Sequence, residues 1–489
     1  MKIAVIGAGF AGLSSAKVLT EMGHQVTVYE KAPDVGGVWS ATRRYPGLRT
    51  QNSKETYTLS GLRFPGHVHQ WAPGEDVQRY MEEYVKKFNL APMLRLSTEV
   101  THAAPADAGG WDVTTAQGSE HYDHLVVASG IFSRPAVPEY EGRELFERLG
   151  GRIMPPSEWH HPDEVRGKDV LVIGYGKSSC DAAVEIAKVA KSTTVVARHL
   201  LWKMPRKIKG IVNYKYLMLT RLGEGLFPYR RTEGFARVLH ANNSAIANNM
   251  VGSLEKVTTA QLKLKEHGVL PEGTFADIAR STVSLATEGF FEGIEDGSIR
   301  VKRDNEIVRF LEKDGKPHAE LRSGDVVPCD VVIAGTGWSQ EIPFFPQEVL
   351  DQLFDENGDY LLYRQIFPIN LKDLTFAGYN SSFFSPLSAE VSAIWIASYL
   401  GGNHRTPSRE AMLTETRARL KWMRERTRGH HARGTNLIPF SMHNIDEVLS
   451  DVGIDVSNFT KFKQWLMPPS PQDYAGISTE LARRIAARA

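Results

Sequence analysis

Cysteine is nearly missing from this chain: Cys180 and Cys329 are the only two in 489 residues. Two such distant thiols cannot build a secreted disulfide framework, and neither has the close cysteine neighbour that a zinc site or a CxxC redox motif requires. Both read as buried, inert thiols in a reducing, cytoplasmic setting, and no metal site is expected. Long apolar runs are missing as well; none approaches the ~20 residues that cross a bilayer. The opening Met1-Lys2-Ile3-Ala4-Val5-Ile6 runs straight into glycines, which reads as a buried strand and turn and not as a cleavable leader. An excess of one charge is also absent. With 58 Lys and Arg against 57 Asp and Glu, nothing in the balance draws the chain to nucleic acid or anionic lipid.

What is present suffices for a large core. The chain is 42% hydrophobic and 24% charged, as a globular protein is, and at about 100–200 residues per domain its length suits two to four units. A homo-oligomer is compatible with this composition.

The first thirty residues form one strand, helix, strand pattern. Ile3 to Ile6 is a short apolar run, Gly7-Ala8-Gly9-Phe10-Ala11-Gly12 a turn, Leu13 to Met22 a helix, and Gln25 to Glu30 a second strand. This is the GxGxxG fingerprint in its required setting. Gly7 makes the tight turn, Gly9 lets the backbone approach a pyrophosphate, and Gly12 lets the helix pack on the strand. Glu30 then stands at a strand end, where a carboxylate accepts hydrogen bonds from ribose hydroxyls.

A second such unit begins near residue 168. Asp169 to Ile173 is a strand, Gly174-Tyr175-Gly176-Lys177-Ser178-Ser179 the turn, Cys180 to Val189 a helix whose start carries Asp181, and Thr193 to Ala197 the next strand. Ser179 replaces the third glycine and is small enough for helix packing. Arg198, not an acid, closes the second strand, which suits the 2′-phosphate of NADP. Lys203, Arg206, Lys207 and Lys209 either reinforce that preference or form a solvated basic loop. An acid-tipped cradle suits the AMP half of FAD, so the two sites together imply electron transfer between FAD and NADPH. The two glycine turns are the only internal repeat in the sequence.

From about 205 to 290 the strand signals fade into a helical composition, read as a helical insertion. Strand-like patterns return at Ile299 to Val301 and at Val326 to Ala334, which runs into Gly335-Thr336-Gly337-Trp338. His124 to Gly130 has the same shape, a buried strand entering small residues, and Pro135 and Pro138 stiffen the crossing beyond it. The expected fold class is α/β with two Rossmann-like domains. Residues 1–145 and 335–489 form the FAD-binding domain, and residues 146–334 an NADPH-binding domain inserted into it.

These residues resemble the flavin-containing monooxygenase family, class B flavoproteins related to Baeyer–Villiger monooxygenases. The match runs from Lys2 to about Gly402. It includes, in family order, Gly7 to Gly12, then Glu30-Lys31 with Gly36-Gly37-Val38-Trp39, Ser53-Lys54-Glu55, the Gly130 to Pro138 linker, Gly174 to Asp181, Ala334 to Trp338, and the stretch around Glu390 and Trp395. The resemblance implies that NADPH reduces FAD, that NADP is retained, and that dioxygen adds at flavin C4a. The resulting (hydro)peroxide delivers one oxygen atom to a small or medium organic substrate, first of all at nitrogen or sulfur. Flavin then carries the hard chemistry and the protein supplies orientation and a dry pocket. The cofactor contacts implied are Gly7, Gly9, Gly12, Glu30, Lys31, Gly37, Val38, Trp39 and Gly130 for FAD, and Gly174, Gly176, Ser178, Ser179 and Arg198 for NADPH.

Three departures mark this chain. The family segment F-x-G-x-x-x-H-x-x-x-(Y/W) falls on Leu149 to Trp159, with Leu149 at the phenylalanine and Pro155 at the histidine; His160 and His161 are either exposed loop residues or a replacement. The flavin-facing asparagine aligns with Gln51, with Asn52 next to it. Either amide suits the catalytic position, and one residue of shift turns a side chain to the other side of an extended segment. Last, the family A-T-G-Y is replaced by Ala334-Gly335-Thr336-Gly337-Trp338. Baeyer–Villiger oxygenation of a ketone, an uncoupled NADPH oxidase or flavin reductase, and a nucleotide sensor without turnover stay open as alternatives. The aromatic run Ser382-Phe383-Phe384-Ser385 and the stretch Tyr214 to Tyr229 are read as core or as cavity lining.

Overall fold

Two five-stranded parallel sheets organise the chain, one around each glycine turn, in a computed structural model that describes residues 1–230, 245–279 and 284–488. In the first sheet Lys2–Ile6 is central, flanked by Gln25–Tyr29 and His124–Val127, with Leu94–Arg95 and Leu374–Phe376 at the edges. In the second, Asp169–Ile173 is central, flanked by Ser192–Ala197 and Val331–Ala334, with Arg300–Arg303 and Arg152–Met154 at the edges. The α/β class with two Rossmann-like sheets is the class expected from the sequence. The central strands are continuous apolar runs because both faces are covered: Ile3, Ala4, Val5 and Val172 are wholly buried. In each sheet the chain adds one neighbour on one side of the central strand and a later one on the other. That reversal opens a crevice at the carboxyl ends of the strands, where such sheets bind ligands.

The repeat reaches further than the glycine turns. Each unit carries a three-stranded antiparallel meander, Val100–Pro105 with Trp111–Thr115 and Gly118–Tyr122 in the first, and Ile307–Lys313 with Lys316–Leu321 and Val326–Pro328 in the second. Each meander leads into the flanking strand that succeeds it. They share topology and no residue motif, so the sequence alone displays only the turns.

Both turn-borne helices start three residues before the expected positions, as Phe10–Glu21 and Lys177–Ala187. Gly9 and Gly176 are their extended N-caps, and the Leu13 and Cys180 amides bond back to the Gly9 and Gly176 carbonyls at 3.0 and 3.1 Å. Residues that composition assigns to a loop therefore form the first helical turn.

The chain leaves the first sheet after Val127 and approaches it again after Ala334, and the two crossings run side by side. Arg134–Pro135 pairs antiparallel with Trp338–Ser339, Ala136 N donates to Gly337 O at 3.0 Å, and Thr336 Oγ1 donates to Ala136 O at 2.6 Å. Helix Ser385–Leu400 packs on Phe10–Glu21. It is buried over nearly its whole length, and its only charged residue, Glu390, is buried and accepts from Ser60 N at 2.7 Å and Ser60 Oγ at 2.5 Å.

The stretch expected as a helical insertion is mixed. It holds helices Lys215–Met218, Arg221–Gly225 and Ala245–Gln261, together with strand pairs Lys203–Met204 with Ser284–Leu285 and Lys207–Ile208 with Val212–Asn213. Its residues 231–244 and 280–283 lie outside the described residues. The basic stretch is not a uniformly solvated loop. Lys203 is 1% exposed, and its ammonium donates to Tyr175 O at 2.8 Å and Ser284 Oγ at 3.1 Å; only Lys207 and Lys209 are exposed. Both cysteines are wholly buried, which raises their thiol pKa values. Among the described residues no helix is long and apolar enough to cross a membrane.

Candidate functional site

The first glycine turn is fixed from two sides. Gly7 adopts φ +108°, and a Cβ there would sit 2.5 Å from the Ala128 carbonyl oxygen, so the turn abuts the end of strand His124–Val127. Gly9 is clear except for Gly37, whose Cα would lie 3.7 Å from an added Cβ. Helix Phe10–Glu21 thus presents its first amides with no side-chain cap, an arrangement that favours an anion. Glu30 is anchored beside the turn, accepting from Ala8 N at 2.8 Å and Ala32 N at 2.9 Å, one bond per oxygen. The Gly36 to Trp39 segment docks on the same turn through Gly36 N to Ala8 O at 3.1 Å and forms a short 3-10 turn.

A cavity of about 1030 Å³ runs from this turn along the junction. Its wall includes Gly7, Gly9, Glu30, Lys31, Gly37, Val38, Trp39, Gln51, Asn52 and Gly130. Gln51 and Asn52 are both present, in different states. Asn52 is 3% exposed and its amide is used: Nδ2 donates to Phe383 O, and Oδ1 lies 3.2 Å from the Tyr214 hydroxyl. Gln51 Oε1 accepts from Leu285 N at 3.1 Å, which leaves Nε2 without a hydrogen-bond partner among the described residues. Tyr214 is wholly buried and also reaches Gln51 O at 2.9 Å. The insertion therefore orients both amides.

The second turn repeats the geometry of the first with different atoms. Gly174 has φ +101° and would meet Gly335 O at 2.5 Å through a Cβ, while Gly176 faces open space. Gly12 and its counterpart Ser179 lie in the first turn of their helices and pack them on the sheet. Ser179 Oγ lies 3.2 Å from Ile173 O and 3.3 Å from Gly335 O. Gly12, Gly174, Gly176, Ser178, Ser179 and Arg198 are not on the cavity wall, but Lys177 is. Lys177 pairs with Asp181, which also accepts from Thr287 Oγ1 at 2.6 Å and Tyr45 OH at 3.2 Å. Burial lowers the Lys177 pKa and Asp181 opposes that shift. Tyr45 thereby ties the first unit to the second turn. Arg198 is exposed at its strand end and joins no ion pair among the described residues.

Sequence reasoning missed Asn380. It lies on the cavity wall 6% exposed, and its Oδ1 is buried without a partner. It follows strand Leu374–Phe376, whose place beside His124–Val127 only the sheet reveals. An unpartnered acceptor, open amides at a helix start and a glycine turn with room for close approach together fit a dinucleotide. Of the aromatic stretches, Ser382, Phe383 and Ser385 line the cavity, whereas Tyr214 and Tyr229 are core. His160 and His161 are exposed and off the wall, as loop residues are; Pro155 is buried and caps the 3-10 turn Pro156–Glu158, whose Ser157 and Glu158 reach the wall.

The chain is 25% identical to flavin-containing monooxygenase 1 of Canis lupus familiaris over 86% of its length and 77% of that protein. It is 25% identical to human flavin-containing monooxygenase 3 over 87% of its length and 78% of the relative. In fold it is similar to the S-allyl-L-cysteine S-oxygenase of Allium sativum, with a TM-score of 0.64 at 17% identity, covering 99% and 98% of the two chains. Cyclohexanone monooxygenase from Rhodococcus sp. Phi1, bound to NADP+, gives 0.68 at 19% identity, covering 92% and 97%. The profile described as flavin-binding monooxygenase-like matches residues 1–251 and 294–461. On that match over most of its length, the chain belongs to the flavin-binding monooxygenase-like family of enzymes.

Proposed function

We propose that this enzyme uses FAD and NADPH to insert one atom of dioxygen into a small or medium organic molecule, at nitrogen or sulfur. The balance is substrate, dioxygen, NADPH and a proton in, and oxygenated substrate, water and NADP+ out. A single observation carries the reading: one cavity joins the acid-tipped glycine turn, the Gln51 amide and Lys177 of the second turn. A bound flavin supplies hydride acceptance from NADPH and activation of dioxygen. The chain supplies the rest. Gly9 and the first amides of Phe10–Glu21 hold the pyrophosphate, Glu30 the ribose, Gly37 to Trp39 and Gly130 the length of the cofactor, and Asn380 donates or accepts at its edge. Gln51 Nε2 offers a hydrogen bond at the reacting end, while the Asn52 amide beside it is held by Phe383 O and Tyr214 OH. Gly174, Gly176, Ser178, Ser179 and Arg198 hold NADPH, with Arg198 on the 2′-phosphate. In this reading residues 1–145 and 335–489 are the FAD domain and 146–334 the inserted NADPH domain. Two buried thiols suit a cytoplasmic enzyme, and a homo-oligomer is compatible with the chain.

Turnover of an amine or thioether under labelled dioxygen tests the reading. One labelled atom in the product is expected; unlabelled product rejects it. Offering a cyclic ketone beside the thioether separates heteroatom oxygenation from lactone formation. An uncoupled NADPH oxidase or flavin reductase is the second reading, favoured by Pro155 at the family's histidine position with His160 and His161 off the cavity wall. It predicts peroxide equal to the NADPH consumed with every substrate.

A further inference from the structure

Near Gln51 the structure places two arginines that form no ion pair among the described residues. Arg49 is on the cavity wall, and its guanidinium donates to Trp71 O at 3.3 Å. Arg206 packs against the ring of the same tryptophan, its guanidinium carbon 5.0 Å from the centroid. Its Nε donates to Ala286 O at 3.3 Å, and its Nη1 is buried with no partner. Neither arginine joins an ion pair among the described residues. The adjoining backbone links them to the reacting end, since Leu285 N holds Gln51 Oε1 and Ala286 O holds Arg206.

The local charge is only partly compensated. Burial and the Arg49 charge both act to lower the pKa of Arg206, against Asp181 and Glu288. Asp181 is already taken by Lys177, Thr287 and Tyr45, and Glu288 is exposed. A buried guanidinium donor without an acceptor is costly, and two planar guanidinium groups match the oxygens of a carboxylate or phosphate.

We infer that Arg49, on the cavity wall, with Arg206 behind it and off the wall, forms a subsite for an anionic group of the organic substrate, a carboxylate or a phosphate-type oxyanion, adjacent to Gln51. Calling that molecule a substrate rests on the oxygenase reading, and the pyrophosphate of NADPH is the other source of the same chemistry. The test is calorimetric titration of oxidised holoenzyme with methylthioacetate and with its methyl ester. The acid binds about tenfold tighter than the ester in the parent. Arg49→Gln and Arg206→Gln each reduce that ratio below about threefold, while affinity for NADP+ holds within about twofold. Equal binding of acid and ester by the parent overturns the inference. So does a ratio that survives both substitutions, which makes the arginines structural, or a parallel loss of NADP+ affinity, which assigns them to the dinucleotide. Should Arg206→Gln fail to fold, Arg49→Gln carries the test. No turnover is needed, so acid-selective binding without label incorporation would sink the oxygenase reading and leave the subsite standing, and the converse result would do the reverse.

Discussion

At the first turn a glycine abuts the Ala128 carbonyl, and at the second a glycine abuts that of Gly335; of the middle glycines, Gly9 has only Gly37 within 4 Å of an added Cβ and Gly176 has nothing. The third position differs. Gly12 lies so close to Gly7 O that any Cβ would collide with it, whereas Ser179 fills the same place in the second turn and keeps its hydroxyl on Ile173 O and Gly335 O. A Cβ on Gly335 would in turn collide with Ser179 Oγ. The serine and the additional glycine are thus two halves of one exchange: bulk gained on the helix is lost on the facing strand end. The strand tips differ too, Glu30 locked on backbone amides and Arg198 exposed with no ion pair among the described residues. In the proposed reading, the same backbone plan is finished once for a hydroxyl-bearing ribose and once for a phosphate.

The largest effect should come from breaking the two cradles separately. Gly9→Val places branched carbons where a pyrophosphate must approach and should give colourless protein. Gly176→Val should stay yellow and lose anaerobic reduction by NADPH. Pigment in the first variant, or normal reduction in the second, would contradict the assignment of ligands to turns. Next in size is Arg198→Ala, which removes a charge-assisted phosphate contact worth roughly 1.5–3 kcal/mol, or about 10- to 150-fold in affinity. NADPH binding should weaken by that factor and NADH binding hardly at all; equal losses would place Arg198 outside the phosphate site.

Gly335→Ala sharpens the Ser179 argument. Forcing a methyl against a buried hydroxyl should cost about 1–3 kcal/mol in denaturant unfolding. Adding Ser179→Gly should recover most of it, so that the double variant is more stable than Gly335→Ala alone. If the two costs simply add, the exchange between the positions is not real.

The sequence states the first-unit site far more fully than the second. Every residue read for the flavin except Gly12 lies on the cavity wall, because a glycine turn, a strand-end acid and the Gly36 to Trp39 segment are local in the chain. What composition cannot display comes from long-range pairing. Asn380 is placed by an edge strand that joins from residue 374, and Tyr45 reaches Asp181 across the junction. Lys203 reads as surface because it is a lysine, yet the carbonyl of Tyr175 and Ser284 Oγ hold it inside. Composition misplaces the helix starts at both turns for one reason, that glycine and serine lower helix propensity while sitting in the first turn, where an anchored N-terminus tolerates them. The choice between Gln51 and Asn52 depends on partners in the insertion, which no local pattern contains.

That last dependence yields the smallest prediction. Tyr214 is buried, belongs to the insertion, and gives its single hydroxyl hydrogen to Gln51 O or Asn52 Oδ1. Tyr214→Phe keeps the ring and removes one neutral hydrogen bond, so stability should fall by about 0.5–1.5 kcal/mol. The cofactor turns touch neither atom, so NADPH should reduce the flavin at the parent rate. The effect should instead appear in the partition of oxygen: with Gln51 less firmly held, a larger share of the NADPH consumed should leave as peroxide. Restoring a donor with Tyr214→His should recover part of the coupling. If Tyr214→Phe loses stability but keeps the parent ratio of product to peroxide, the insertion braces the fold there and does not aim the amide.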